Sequence, residues 1–522
     1  MLEAALGLTI PRGEDSDMVV DCPVEGLRGQ SYQEWLIRLP VKLYGWGLRS
    51  LKDCCGPAYI GALETALPFM AAGDMLCPQM ENLWGGEECW GRGAEGEGRW
   101  RVAIQSGSQE GRELERAWGS MVEEGRQAAD WLGQELEAPF SVALEELGEG
   151  CTTGETRGKL VEARERTRSL LLSRALSTHR PRQDRHVLAF RQRDKLSVAW
   201  TLCLPGSSEA FTNEEFTTAA ATNLCLPPPV CVERVGEEVK RRPRIVIDLH
   251  GDNIQATPLP GDHWRLRHDS LKLLLYRLCV WSGVKVDMEV FNLFSRYIPQ
   301  EGLSRINSHR QRQGLIPDLR ILLPVGPENK SVLHEVKVIS CSQTRYKPGW
   351  EERGVDRRAD MLHQEYVSKA RKVDRDYVGT EVGEMGPVER KLLSFERVQG
   401  VVFGAWGEAS EPVHRLIDVL ATSRVRVAGP QRGRKGMMRS EEGERSVVVG
   451  MLRRKLSAAS VKAQTSSLLG RLETLGPGWE AAAGRRREAL ERENQWARER
   501  SAQLCSLRSS RNTVRGGFAM LN

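Results

Sequence analysis

Leu271, Leu274, Leu275, Leu278 and Trp281 recur at the three- and four-residue spacings of one helix face, which predicts an amphipathic helix over Arg265–Trp281 that Ser282 and Gly283 stop. The period then changes to two. In Val284–Val290 the apolar Val284, Val286, Met288 and Val290 alternate with Lys285, Asp287 and Glu289, the pattern of a strand with one charged face. Ile316–Leu323 and Ser331–Ser340 flank VGPENK, whose Gly, Pro and Asn favour a turn, so the two runs pair as a hairpin. Asp356–Tyr377 reads as a long charged helix, Val398–Trp406 as a buried strand and Glu411–Ala421 as a further helix. The order αβββαβα predicts an α/β fold, a mixed sheet flanked by helices.

Elsewhere the pattern is less regular. Trp35–Leu43 reads as a strand-like piece, followed by a turn at Gly45 and Gly47 and a helix through Tyr59–Leu67 that ends at Pro68. Residues 71–99 are rich in Gly, Trp and Glu, which defeats periodic packing and suggests a loop or linker. Apolar positions at helical spacing from Trp100 to about Arg174 predict surface helices, and Pro227, Pro228 and Pro229 form a stiff spacer that suggests a domain boundary. Two further helices are expected over Ser446–Leu475 and Trp479–Leu504, paired as a helical hairpin or solvated. The reading divides the chain into 1–99, 100–240 as a mainly helical linker, 241–425 as the α/β domain, and 426–522 as a basic helical tail.

Composition adds limits. A chain of 522 residues has room for about three domains, and 40% hydrophobic with 28% charged residues describes a globular protein, although 51 Gly and 24 Pro imply long connections. A net charge of +5 is too slight to indicate a partner. It conceals an asymmetry, because acidic residues are in excess in the N-terminal half and basic ones in the α/β region and the tail. The 12 cysteines are scattered, apart from Cys54 and Cys55, and no CxxC pair occurs, so neither disulfides nor a zinc ribbon is expected. Met1–Ile10 is too short for a signal peptide, and no run of about 18 uncharged apolar residues follows. An intracellular location and no membrane partner are expected.

The α/β region contains the candidate chemistry. Pro317 and Asp318 open one hairpin strand, and period-two geometry puts Glu335 and Lys337 on one face of the other. Hydrolysis of a phosphodiester calls for a divalent cation to polarise the phosphate and acidify a water, and a hard cation such as Mg²⁺ or Mn²⁺ takes carboxylate oxygens. Asp318 and Glu335 can supply them, with Glu289 as a third carboxylate or as the holder of a second metal through water. Lys337 is left to orient the water and stabilise charge on the phosphorus. A bland alternative is an exposed hairpin with an i,i+2 ion pair.

The motif Pro317, Asp318, Glu335, Lys337 and the order of elements around it resemble the PD-(D/E)xK nucleases, with their restriction-endonuclease-like fold. A second resemblance covers more of the chain. Arg38–Pro68, Phe190–Gly206, Thr212–Phe216, Asn223–Cys231 and Gly261–Asp269 are similar, in order, to segments that follow the polymerase core in reverse-transcriptase-like proteins of non-LTR retroelements. This implies a metal-dependent endonuclease that nicks target DNA, with DNA and the element RNA as partners and, for an active element, a nuclear location. It also implies no polymerase activity here, since the family's Asp-Asp motif has no counterpart in the sequence. Arg267, His268 and Asp269 match a recurring triplet of that family, where the implied role is phosphate contact or capping of the helix.

Cys225, Cys231, His250, His263 and His268 lie near the family's Cys/His site, but their loose spacing argues against zinc. His250, Asn253 and His263 lack the context of an HNH nuclease. Arg310 and Arg312 precede Pro317, and Arg345, Lys347, Lys369 and Lys372 follow Lys337, a distribution suited to a polyanion or to a solvated charged helix. Tyr346 and Trp350 are candidates for stacking on bases. The rival expectation is a catalytically inactive remnant that binds nucleic acid without cutting it.

Overall fold

The computed structural model describes residues 8–10, 30–39, 43, 45–46, positions within 116–132, 156–179, 184–202, 210–240, 244–289, 293–308, 315–325, 328–341, 346, 353–395, 397–428, 440–476 and most of 479–499. The chain forms two compact units, one of Thr9–Phe190 and one of Arg191–Asn522 with Met1–Leu8. This division falls ahead of the Pro-rich spacer.

In the smaller unit, helix α1 (Tyr32–Arg38) starts from a capping box. The Ser31 hydroxyl accepts the Glu34 N–H at 3.1 Å, and the Glu34 carboxylate accepts the Ser31 N–H at 2.9 Å. This cap, with burial of Tyr32, Trp35, Leu36 and Ile37, makes helix of the start of the segment expected as a strand. Helix α2 (Thr156–His179) buries Leu171, Leu172 and Leu176, and its Arg164 pairs with the buried Glu124. Helix α3 is Arg185–Gln192, and its His186 ring meets Tyr32 edge-on at 4.9 Å. The helix expected at Tyr59–Leu67 and the linker of 71–99 lie outside the described residues.

The larger unit begins with a 3-10 turn at Ala199–Leu202, helix α4 (Asn213–Asn223), capped by Thr212, and the short α5 (Pro229–Val232). Strands β1 (Glu238–Lys240) and β2 (Ile245–Val246) form a small antiparallel ribbon before α6 (Asp252–Ala256). Then follow α7 (His263–Trp281), β3 (Lys285–Met288), α8 (Gln300–Ser308), β4 (Leu319–Val325), β5 (Glu328–Val338), α9 (Gly354–Val373), α10 (Pro387–Leu393), β6 (Gln399–Phe403), α11 (Glu411–Ala428) and α12 (Glu441–Glu473). The four strands from β3 onward form one mixed sheet in the order β3-β4-β5-β6, antiparallel except for the β5–β6 pair. That parallel pair is joined through α9 and α10, as a parallel connection requires.

Both faces of the sheet are covered. Val286, Met288, Leu319, Ile321, Val336, Val401 and Phe403 join the leucines of α7 and apolar residues of α11 and α12 in one main core. On the other face Leu333 and Val398 pack with Tyr366, Val367 and Ala370 of α9 and Val388 and Leu392 of α10. Gly400 of β6 permits this close layer, since a Cβ there would lie 2.5 Å from the Ala359 Cα. No described helix is long and apolar enough to cross a membrane, and Cys225, Cys231 and Cys279 are buried.

Two features differ from the sequence reading. Helix α12 is no detached tail, because Val449, Leu452 and Leu456 sit in the main core and the Ser457 hydroxyl accepts the Trp200 N–H at 2.8 Å. Strand β3 also stops at Met288, where Glu289 takes a left-handed φ of 50°.

A buried polar network ties the start of this unit to the β6–α11 turn. Asp194 Oδ2 accepts the Arg353 guanidinium at 2.9 Å, the Ala409 N–H at 2.8 Å and His414 Nε2 at 3.0 Å. Nearby, the buried Glu408 accepts the Tyr346 hydroxyl at 2.7 Å and the Trp406 N–H at 2.9 Å. Burial pushes the Glu408 carboxyl up to about 7, against the lowering effect of Tyr346 and with the Asp194 charge adding to the rise.

A carboxyl raised in the folded state stabilises the fold below its unfolded value of 4.5, and this contribution is lost as pH rises through about 7. Glu408→Gln is therefore expected to increase stability at pH 8 by on the order of 2–3 kcal/mol and to leave it nearly unchanged at pH 4.5. Urea unfolding at the two pH values measures this. Separately, Leu452→Ala is expected to destabilise the larger unit by about 2–5 kcal/mol in the same assay, as befits a core residue rather than one on a solvated tail.

Candidate active site

Asp318, the residue before β4, is anchored through both backbone and side chain. Its carbonyl accepts the Glu289 N–H at 2.9 Å, and its carboxylate Oδ2 accepts the Val336 N–H from β5 at 2.8 Å. The register of β4 on β5, with Leu319 opposite His334, sets Asp318 beside the strand segment that carries Glu335. Period two then turns Glu335 and Lys337 to the face covered by α9. Glu335 accepts the Tyr366 hydroxyl at 2.6 Å on one oxygen and Lys337 Nζ at 2.6 Å on the other. Tyr366, from α9, also lies 3.2 Å from the Ile316 carbonyl oxygen.

Helix α7 supplies the balancing charges. His268 Nε2 is 3.1 Å from Asp318 Oδ2, and its Nδ1 is 2.9 Å from Asp269 Oδ1. One turn on, Lys272 is almost fully buried and donates to Asp269 at 3.0 Å and to Glu289. The left-handed backbone of Glu289 turns its carboxylate to Lys272, which also bears electrostatically on Asp318. Asp287 of β3 is engaged separately, with Arg320 Nε at 2.8 Å.

These partners separate the two central carboxyls. Burial would raise Asp318, but the hydrogen bond and charge of His268, with Lys337 and Lys272, outweigh it and hold Asp318 below its ordinary range. Glu335 is raised, first by burial and then by the Asp318 charge, with Lys337 and Tyr366 only partly offsetting this. Burial opposes a charge on His268, yet Asp269 and Asp318 raise it to about 9. The arrangement is one ionised carboxylate beside one that binds a proton more readily, with a lysine on the second.

Of the residues expected from sequence, Asp318, Glu335 and Lys337 meet here, while Glu289 joins through Lys272 and its own N–H. His268 belongs to the cluster. Arg267, its neighbour on α7, lines an adjacent cavity. On α9, Lys369 lies over the Tyr366 ring at 5.3 Å and Lys372 is exposed. Arg310, Arg312, Arg345, Lys347 and Trp350 lie outside the described residues. Tyr346 is buried, bonded to Glu408 and packed on Trp406 at 4.9 Å, so it is not open to a base. Asp269 lies well inside α7, which begins at His263, and so is not its cap.

Sequence reasoning missed Lys272 and Tyr366. The signal for Lys272 was a lysine set among buried leucines, whose charge needs a partner. Cys231 packs with Ile247, Ile254, Leu468 and Leu472, and among the described residues no group of three or more His, Cys, Asp or Glu is placed to hold a metal. No protein-family model matches the chain, and neither does any curated protein or solved structure.

The ion pairs of Lys272 give a direct test of the cluster's energetics. Lys272→Ala removes the buried cation that Asp269 and Glu289 share and leaves Asp269 to His268, and a loss of about 3–5 kcal/mol is expected. Lys272→Met, equal in length but uncharged, should cost nearly as much if charge rather than packing matters. Denaturant titration of both variants measures the two terms.

Proposed function

We propose that the chain is a metal-dependent endonuclease that hydrolyses phosphodiesters at Asp318, Glu335 and Lys337. The observation that carries the reading is a pair of buried carboxyls, Asp318 just before β4 and Glu335 on the adjoining β5, shifted in opposite directions, with Lys337 bonded to the second. The succession α7, β3, β4–β5, α9, β6 and the sheet order β3-β4-β5-β6 support a restriction-endonuclease-like reading of the larger unit. With the resemblance of Arg38–Pro68 and Phe190–Asp269 to retroelement segments, this suggests nicking of target DNA as the role.

The donor set fits Mg²⁺ or Mn²⁺. Asp318 Oδ1 accepts no hydrogen bond from the described residues, and Glu335 lies next to it, so two hard oxygens are on offer. Mg²⁺ is commonly held by one or two carboxylates, with substrate phosphate and waters completing its shell. When bound, it would polarise the scissile phosphate and lower the pKa of the attacking water.

The remaining work falls to the chain. His268 and the Val336 N–H fix Asp318 so that Oδ1 faces away from its hydrogen-bonded edge. Tyr366 holds Glu335 in one orientation, which leaves the Lys337 contact as the exchangeable one. Lys337, about a third exposed, can turn its ammonium from Glu335 to the phosphate and stabilise the charge that builds as the bond to the leaving oxygen breaks.

Incubation with supercoiled plasmid and Mg²⁺ is expected to give nicked circles. Asp318→Ala or Lys337→Ala should slow nicking by about 100-fold or more. Undiminished cleavage in both variants would discard the site. Salt-sensitive DNA binding with no metal-dependent product would instead favour a binding protein that has lost, or never had, hydrolysis.

A further inference from the structure

Next to the carboxyl pair, and sharing Lys337 and His268 with it, is an open cavity of about 400 Å³. Its lining includes Arg267, Arg358, Ser340 and Trp264 and, among the described residues, no carboxylate. Arg358 and Lys337 have partners in Glu365 and Glu335. Arg267 has none. It is 7% exposed, its Nε is buried without a partner, and its guanidinium forms no hydrogen bond or ion pair with any described residue. A buried, uncompensated cation costs free energy, which a fold does not gain from unless something supplies the counter-charge.

A second arginine deepens the imbalance. Arg471 of α12 is 2% exposed, and its partners among the described residues are neutral groups, the carbonyl oxygens of Ile254 at 2.8 Å and Thr257 at 2.6 Å and the ring of Trp264 at 4.8 Å. Burial and the charge of Arg267 lower its affinity for its proton to a pKa of about 10, the mark of two like charges in one apolar setting. A neutral ligand would not relieve this. An anion would, and two features select a phosphodiester: the cavity opens to the lysine of the carboxyl pair, and Trp264, 42% exposed with Arg471 against its ring, offers a surface to a base.

We infer that this cavity is a second phosphate subsite, which holds the phosphodiester next to the scissile one with its unpaired base stacked on Trp264. The inference rests on the endonuclease reading for its second ligand, the scissile phosphate, but not for its own binding energy. The substrate class is then a strand with an unpaired nucleotide beside the cleaved bond.

The test is fluorescence anisotropy of the full chain with a short fluorescein-labelled single-stranded oligonucleotide in EDTA, where no cleavage occurs, over a range of salt. Arg267→Met is expected to weaken binding by about tenfold and to lower the slope of log K against log salt by about 0.7, one phosphate contact. The same variant should raise Tm, because it removes the uncompensated charge; a merely structural arginine would lower it. Trp264→Ala should weaken the single strand about tenfold and a blunt duplex little. Ser340→Glu, which sets a carboxylate in the cavity, should mimic the loss at Arg267 and serves should Arg267→Met fail to fold. Wild-type affinity and slope in Arg267→Met, or in Ser340→Glu, would overturn the subsite. Metal-dependent nicking that depends on Asp318 would stand in that event, and weakened binding without any nicking would support the subsite while rejecting the nuclease.

Discussion

Two carboxyl groups, Asp318 and Glu335, are held side by side where little water reaches them, and the larger unit is arranged around the cost of that proximity. Each is 8% exposed. Taking an ion out of water costs several kcal/mol even after relaxation, and a like charge beside it adds to that. The chain answers in two ways. It lets the pair divide a proton unequally, with Asp318 shifted down and Glu335 up, and it brings in cations, His268 and Lys272 from the remote α7 and Lys337 from Glu335's own strand. A backbone N–H, that of Val336, serves Asp318 as well.

The position of α7 is thus as important to the site as the strands. Its leucines are fixed in the main core by β3, β4, α11 and α12, so the same packing that stabilises the unit aims His268 and Lys272 at the carboxyls. Charge is balanced within the cluster and unbalanced one residue away. Among the described residues neither Arg267 nor Arg471 is paired with a carboxylate, and the cavity that Arg267 lines adjoins the pair through Lys337. A site in which acidic groups are neutralised by the protein, next to a pocket in which basic groups are not, is suited to a ligand that brings both a cation and phosphates.

Much of this was legible along the chain because it depends on short-range periodicity. The alternation in SVLHEVKVIS puts Glu335 and Lys337 on one face, and the leucines of α7 mark the helix that faces the sheet. Other features depend on long-range contact. Tyr366 reaches Glu335 from α9, and Asp194 meets His414 across more than two hundred residues, so nothing local announces either. Glu289 alternates correctly for a strand, yet its φ of 50° takes it off β3 to satisfy Lys272. The short apolar run of Trp35–Leu43 reads as strand-like, although Ser31 and Glu34 spell the capping box that makes a helix of Tyr32–Arg38. Helix α12 was legible as a helix but not as core, because the residues it covers lie in elements spread over the whole unit.

The central claim is that Asp318 and Glu335 together form a cation site, and it can be measured without substrate. Mn²⁺ added to the full chain near neutral pH and followed by electron paramagnetic resonance should show a bound ion that Asp318→Asn and Glu335→Gln each abolish, while Glu408→Gln, in the separate buried network, retains it. Unchanged Mn²⁺ binding in Asp318→Asn and Glu335→Gln, or no bound ion in the unaltered protein, would contradict the account.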